Sequence, residues 1–306
     1  MSVRLTLGPI AYHWTAERKR DFYARIADEA PVDTVYLGEV ICSKRQPFFD
    51  SELPEMAERL AGAGKTVVMS GLAEVMLPRE RQASKALAEL DDYEIEINNA
   101  AGLFHRSGRP HRVGPFLNVY GEQTLRELAR RGATHVCLPT ELPGTATVKL
   151  AAAARELAVG VEVQVFGRAS LATSARCYHA RAYKRTKDNC QFVCEEHPDG
   201  MPLETRDGQS FLRVNGIQTQ SDTYVSLLDE VAGMASCGIT DLRLMPQDVD
   251  MAAVAGVFRQ HLDGGIDAAE GQARLEQIAP GIAFSNGFWH GEAGYRRIAR
   301  AERALA

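Results

Sequence analysis

The sequence predicts a (β/α)8 TIM-like barrel. Strand-like and helix-like runs alternate from the first residues, and eight strand candidates fit within about 245 residues, the length such a barrel needs. Helix patterns repeatedly close on glycine just before the next strand, as at Gly64, Gly132 and Gly160. Repeated βα units imply a parallel sheet with right-handed crossovers. An open doubly wound sheet is the alternative, but no G-x-G-x-x-G follows an early strand, which weakens a dinucleotide-binding version of it.

In chain order the strand candidates are 3–8, 33–38, 65–71, 93–98, 112–118, 134–139, 161–166 and 240–245. Each is a short run rich in β-branched and apolar residues. The helix candidates 16–30, 51–64, 121–132 and 147–158 carry apolar residues at helical spacing. Residues 167–220 break the alternation with a polar, cysteine-bearing insertion after strand 7, including turn signals at Pro198-Asp199-Gly200 and Asp207-Gly208. Residues 210–216 read as an extra strand closing a hairpin. Long ordered insertions usually serve function. The tail 263–306 reads as a helix, the loop 285–291 and a last helix, and the chain as a single domain over 1–306.

Composition narrows the class. Of 306 residues, 45% are hydrophobic and 25% charged, with a formal charge of −5. This is a globular balance, with no basic domain for nucleic acid. No signal-peptide core and no run of 18 apolar residues is present, so the expectation is a cytoplasmic protein without membrane insertion. In a reducing compartment six cysteines call for an explanation other than disulfides. Cys177, Cys190 and Cys194 form C-x12-C-x3-C, and Cys42 follows the second strand candidate by four residues. Loops after barrel strands share one face, so these thiols can converge there on a metal. Spacing leaves a four-cysteine zinc site open as the alternative to an iron–sulfur cluster. The asymmetry, three thiols together and one distant, at a barrel mouth, favours iron–sulfur. Cys137, in an apolar strand, and Cys237, at a helix end before Gly238, are assigned to packing.

Arg176, Arg181, Lys184, Arg185 and Lys187 crowd the same segment, where they can offset an anionic cluster or receive an anionic substrate. Glu39 and Glu141 at strand ends, with Arg176, are the catalytic candidates. Asn98 and Asn118 are read as pocket or cap residues, and Tyr12, Tyr120, Phe288 and Trp289 as ring contacts or packing. No G-x-S-x-G, H-E-x-x-H or cysteine–histidine signature of a peptidase occurs, and the eight histidines are scattered.

The segment VEVQVFGRASLATSARCYHAR resembles the signature of the collagenase-like peptidase superfamily, with Glu162, Phe166, Gly167, Ser174, Arg176 and Cys177 in place. One position departs: Ser170 stands where the family commonly has a cysteine, and Cys42 is the natural replacement. LGPIAYHW, YLGEVICSKR, VNGIQT and NGFW, in that order, resemble the branch of this superfamily that serves oxygen-independent ubiquinone biosynthesis. That resemblance implies a [4Fe–4S] cluster held by Cys42, Cys177, Cys190 and Cys194. It also implies a paralogous partner, UbiU, in a heterodimer, a lipid-binding sterol-carrier-type protein, UbiT, and hydroxylation of a quinone intermediate without dioxygen. Prephenate is the implied oxygen source, and proteolysis is not implied. The rival expectations are a scaffold with a structural metal site, and an RNA-modifying hydroxylase of the same superfamily.

Overall fold

The computed structural model describes residues 3–299. From the N-terminus its elements are β1 (Arg4–Leu7), α1 (Ala16–Glu29), β2 (Thr34–Leu37), α2 (Leu53–Gly62), β3 (Thr66–Ser70), α3 (Pro78–Glu89), β4 (Glu94–Ile97) and α4 (Ala100–Arg106). Then come β5 (His111–Val113), α5 (Glu122–Arg130), β6 (Ala133–Cys137), α6 (Gly144–Glu156), β7 (Gly160–Thr173) and α7 (Tyr178–Ala182). The rest is β8 (Met201–Glu204), β9 (Ser210–Asn215), β10 (Gln218–Ser226), α8 (Val231–Met234), β11 (Asp241–Leu244), α9 (Met251–Leu262), α10 (Ala268–Ile278) and β12 (Phe284–Ser285).

Strands β1 to β7 and β11 pair in parallel, and β11 bonds both β1 and β7, so the eight close into a barrel with helices between strands. All eight are the strands predicted from the sequence, with different ends. The fifth stops at Val113, because Pro115 has no N–H for a ladder and opens a 3-10 turn over Pro115–Leu117. The seventh is far longer than predicted. It runs out of the barrel to Thr173, where β10 pairs with it antiparallel from Ser226↔Phe166 to Gln218↔Thr173. That pairing is tertiary, and the run Ser170-Leu171-Ala172-Thr173 carries no alternation to announce it. The extra strand predicted over 210–216 is β9, which forms hairpins with both β8 and β10. After the loop 285–291 the described residues 292–299 form turns rather than the predicted last helix, and the remaining tail lies outside the described residues.

Strand alternation splits the side chains by chemistry. Leu5, Leu7, Val35, Leu37, Val161, Val163, Leu242 and Leu244 join Tyr23, Ile26, Met56, Leu60, Leu125, Leu150, Val254 and Phe258 of the helices in one apolar core. The other face turns inward, and there the barrel is filled by charge instead of the branched aliphatic layers usual for this architecture. Arg243 pairs with Glu96 at 2.6 Å and with Glu162, and all three are buried. The Tyr36 hydroxyl donates to Glu162 at 3.0 Å and accepts from Arg112 at 3.0 Å, while the Arg243 guanidinium lies 4.0 Å from the Tyr36 ring centroid. Thr6 also donates to Glu162. Burial raises the Glu162 carboxyl, yet Arg243 and Arg112 overcome it and hold its pKa below the usual carboxylate range.

Candidate metal centre

Cys42, Cys177, Cys190 and Cys194 line one pocket of about 340 Å3, a volume that includes space open to solvent. They reach it from separate elements. Cys42 is carried by the loop after β2. Gly38, at φ 126° and placed where an added Cβ would run into the Ser70 carbonyl, turns the chain there. Glu39 then fixes the loop: its Oε1 accepts from the backbone N–H of Ile41 at 2.8 Å and of Cys42 at 3.0 Å. Glu39, a predicted catalytic candidate, is therefore turned into the Cys42 loop and does not line the barrel mouth. Cys177 caps α7, its sulfur accepting from Ala180 N–H at 3.4 Å. Between Cys190 and Cys194 the backbone takes left-handed φ at Gln191 (47°) and Phe192 (52°), and this tight turn brings both thiols to the cavity. All four are free thiols; Cys194 is buried and the others half-buried.

Two further side chains line this cavity: Arg45, which was not singled out from the sequence, and His179, one of the histidines read there as surface or packing. Arg45 is 1% exposed, donates to the Ala11 carbonyl at 2.8 Å and to Asn215 Oδ1 at 2.9 Å, and has no partner for Nε. Burial disfavours its charge, but Cys194, Glu39 and Cys42 outweigh that and raise its pKa. His179 is 1% exposed with Nε2 unpartnered, and burial, helped by His197 and Arg45, lowers its pKa to about 4. The signal available was proximity: each lies within three residues of a cavity cysteine. Burial pushes the Cys42 and Cys177 thiols up, with Arg45 opposing it in both. Among the described residues no three His, Cys, Asp or Glu side chains close around a single ion.

A second, larger cavity of about 1050 Å3 opens at the barrel mouth, over the inner charge network. Glu96, Cys137, Gln164, Arg168 and Arg243 line it from the barrel, and Asn118, Tyr120, Glu141, Gln218 and Gln220 from the loops and β10. Glu141 thus sits where it was expected, and Tyr120 donates to it. Ser170 also lies here, on β7, and not with the four cysteines. The two cavities share a wall: Ala11, Val40, Ile41 and Ile217 form a small apolar cluster with Cys42 and Cys177 packed against it, and with Phe116 of the mouth cavity.

The other expectations divide: Arg176 and the exposed roles considered for Phe288 and Trp289 are corrected, while the packing readings of Tyr12 and Cys137 agree with their burial. Arg176 is exposed on the surface and lines neither cavity, its backbone N–H held by Ser174. Asn98 is buried, with Nδ2 donating to the Gly71 carbonyl and Glu96. Tyr12 is sealed in the core against Gln220 and Gln247. Phe288 and Trp289 pack on the apolar core, Trp289 against Gly144, and offer no exposed apolar patch. Cys137 is buried and Cys237 ends a 3-10 turn before Gly238 at φ 87°; neither lines the cysteine cavity.

Among solved structures the chain is similar to the carboxyl transferase domain from Rhizobium etli pyruvate carboxylase with 3-bromopyruvate, at 12% identity and TM-score 0.42. That match covers 98% of this chain and 50% of the other, so the chain spans about half the length of that structure. It is also similar to D-psicose 3-epimerase in the presence of D-fructose, at 12% identity and TM-score 0.26, over 91% of this chain and 100% of the other. No helix among the described residues is long and apolar enough to cross a membrane. The model of peptidase family U32 matches residues 15–299, nearly the whole length, and the chain belongs to that family.

Proposed function

We propose that this member of the U32 family is UbiV-like: the iron–sulfur subunit of an oxygen-independent hydroxylase in ubiquinone biosynthesis, working with a UbiU-like paralogue. The observation that carries the proposal is the meeting of Cys42, Cys177, Cys190 and Cys194 in one cavity although up to 152 positions separate them. The donor set fits a [4Fe–4S] cluster. Four thiols are available, a buried guanidinium offsets their negative charge, and His179 Nε2 is a buried polar atom without a partner.

The cluster, when bound, supplies one-electron transfer. The chain's own residues supply its setting. Glu39 holds the Cys42 loop, Asn215 and the Ala11 carbonyl hold Arg45, and the apolar cluster of Ala11, Val40, Ile41 and Ile217 packs between residues of the two cavities. The mouth cavity, with Glu141 and the carboxamides of Gln218 and Gln220, is the place for an organic substrate.

The test is anaerobic purification followed by metal and sulfide analysis. The expected result is about four iron and four acid-labile sulfide per chain. Stoichiometric zinc with no sulfide would overturn the proposal in favour of a structural metal site.

A further inference from the structure

Five cations cluster within twelve residues beside the cysteine cavity. Arg176, Arg181 and Lys184 are exposed, and Arg185 and Lys187 are half-buried. Among the described residues none of these side chains enters a salt bridge. Several exposed arginines elsewhere are paired, as Arg25 is with Glu29, Arg59 with Asp28, Arg130 with Glu127 and Arg274 with Glu270, whereas Arg79, Arg155 and Arg206 are exposed without a salt bridge but stand apart from one another in sequence. In a chain of net charge −5 with an excess of acids, leaving these cations unpaired concentrates positive potential at one place. That place is the edge of the cysteine cavity. Arg176 precedes Cys177, Lys187 lines the cavity, and Cys42, Cys177 and Cys190 are half-buried. No carboxylate occurs from residue 176 to 187; Asp188, Glu195 and Glu196 follow, and Glu196 accepts from the Tyr183 hydroxyl. Beside the cations two aromatic side chains stay open: Tyr178 at 48% and Phe48 at 49% exposure, the latter stacked edge-on to Phe192 at 4.7 Å.

We propose that this basic lip is the docking surface for a small acidic protein carrying a one-electron iron–sulfur centre, which delivers electrons to the cluster of the cysteine cavity. The inference rests on the functional reading above. Complementary charge steers encounter and sets the on-rate, and a weak redox contact needs only a small interface with an apolar centre, which Tyr178 and Phe48 supply. The transfer balances as one electron: the donor's centre is oxidised by one, the cysteine-held cluster is reduced by one, and no bond forms or breaks. The adjoining Asp188, Glu195 and Glu196 bound the basic stretch and argue against a continuous phosphate backbone as the occupant.

The experiment uses the full chain purified anaerobically, a reduced acidic [2Fe–2S] ferredoxin as probe, and the charge-reversed variant Arg181→Glu/Lys184→Glu. Both residues are exposed and without salt bridges, so the fold is expected to persist, which circular dichroism checks. Stopped-flow bleaching should show ferredoxin reducing the wild-type cluster faster at low than at high salt. The variant should lose about tenfold in that rate and most of the salt dependence. Reduction by dithionite, which needs no docking, should be the same in both proteins. Calorimetry of ferredoxin binding to the protein reads the surface even if no cluster is found: binding weakened in the variant keeps the docking surface, while the missing cluster overturns only the functional reading. An unchanged ferredoxin rate and affinity in the variant would overturn the docking surface. So would binding of single-stranded RNA that the variant loses while its ferredoxin reduction is unaffected.

Discussion

Arg45 lies three residues after Cys42, and its role follows from where its guanidinium is held. A buried cation with unmet hydrogen-bonding capacity is costly unless anionic partners surround it; Glu39 is one here, and the cysteines would become so on giving up their protons to a metal. With a cluster in place, the same charge stabilises the more negative, reduced state. Replacing Arg45 by Met should therefore lower the reduction potential. A charge-assisted hydrogen bond contributes about 1.5–3 kcal/mol, which sets an upper limit on the order of 100 mV for one electron. Potentiometric titration followed by EPR measures it, and an unchanged potential would remove Arg45 from the site. The cysteines give a sharper contrast. Cys42→Ala, Cys177→Ala, Cys190→Ala and Cys194→Ala should each lose the cluster's visible absorption. Cys137→Ala and Cys237→Ala should keep it, because neither lines the cavity. Retained colour in Cys42→Ala would show that the distant ligand is wrongly assigned.

At the scale of elements, two features couple the barrel to the site. Gly38 ends β2 and starts the Cys42 loop at φ 126°, and an added Cβ would stand 2.4 Å from the Ser70 carbonyl oxygen. Gly38→Ala must move backbone, either in β3 or in the loop. We expect a loss of about 1–3 kcal/mol in denaturant unfolding together with incomplete cluster incorporation. Normal iron content and stability in that variant would show the loop to be tolerant. The inner charge network is the second feature. Arg243→Met leaves Glu96 and Glu162 buried together without their shared cation, at an expected cost of about 3–5 kcal/mol. Adding Glu96→Gln and Glu162→Gln should recover much of that, because it removes the uncompensated charges. Chemical unfolding of the single and triple variants distinguishes this from a plain packing loss, which the added Gln residues would not restore.

At the scale of the whole molecule, the face bearing the cysteine cavity is open, and the proposed function requires a second redox protein. Co-expression with a UbiU-like paralogue should yield a heterodimer by size-exclusion chromatography. A chain that stays monomeric beside the paralogue, yet alone restores anaerobic ubiquinone synthesis in cells lacking both, would refute the partnership. The sequence made the barrel legible because each strand is a compact apolar or alternating run and most are followed by an amphipathic helix, so local periodicity and glycine stops marked the units. It also made the cysteine set legible: thiols in loops after barrel strands have few other places to go, and structure brings all four chosen thiols together. Three things came only with the fold. The long outer half of β7 was hidden because its partner, β10, lies 45 or more residues away at each pair, and strand pairing is a contact between segments rather than a property of either. The roles of Glu39 and Arg45 were hidden because a carboxylate after a strand and an arginine after a cysteine look alike whether they face substrate, solvent or backbone. The charged barrel interior was hidden in part for the same reason: Glu96, Arg112, Glu162 and Arg243 each read singly as strand polar residues. Sequence alone determined which residues alternate and where turns fall, since these depend on neighbours along the chain. Closure of the sheet decided which charges meet, since burial and pairing depend on neighbours in space.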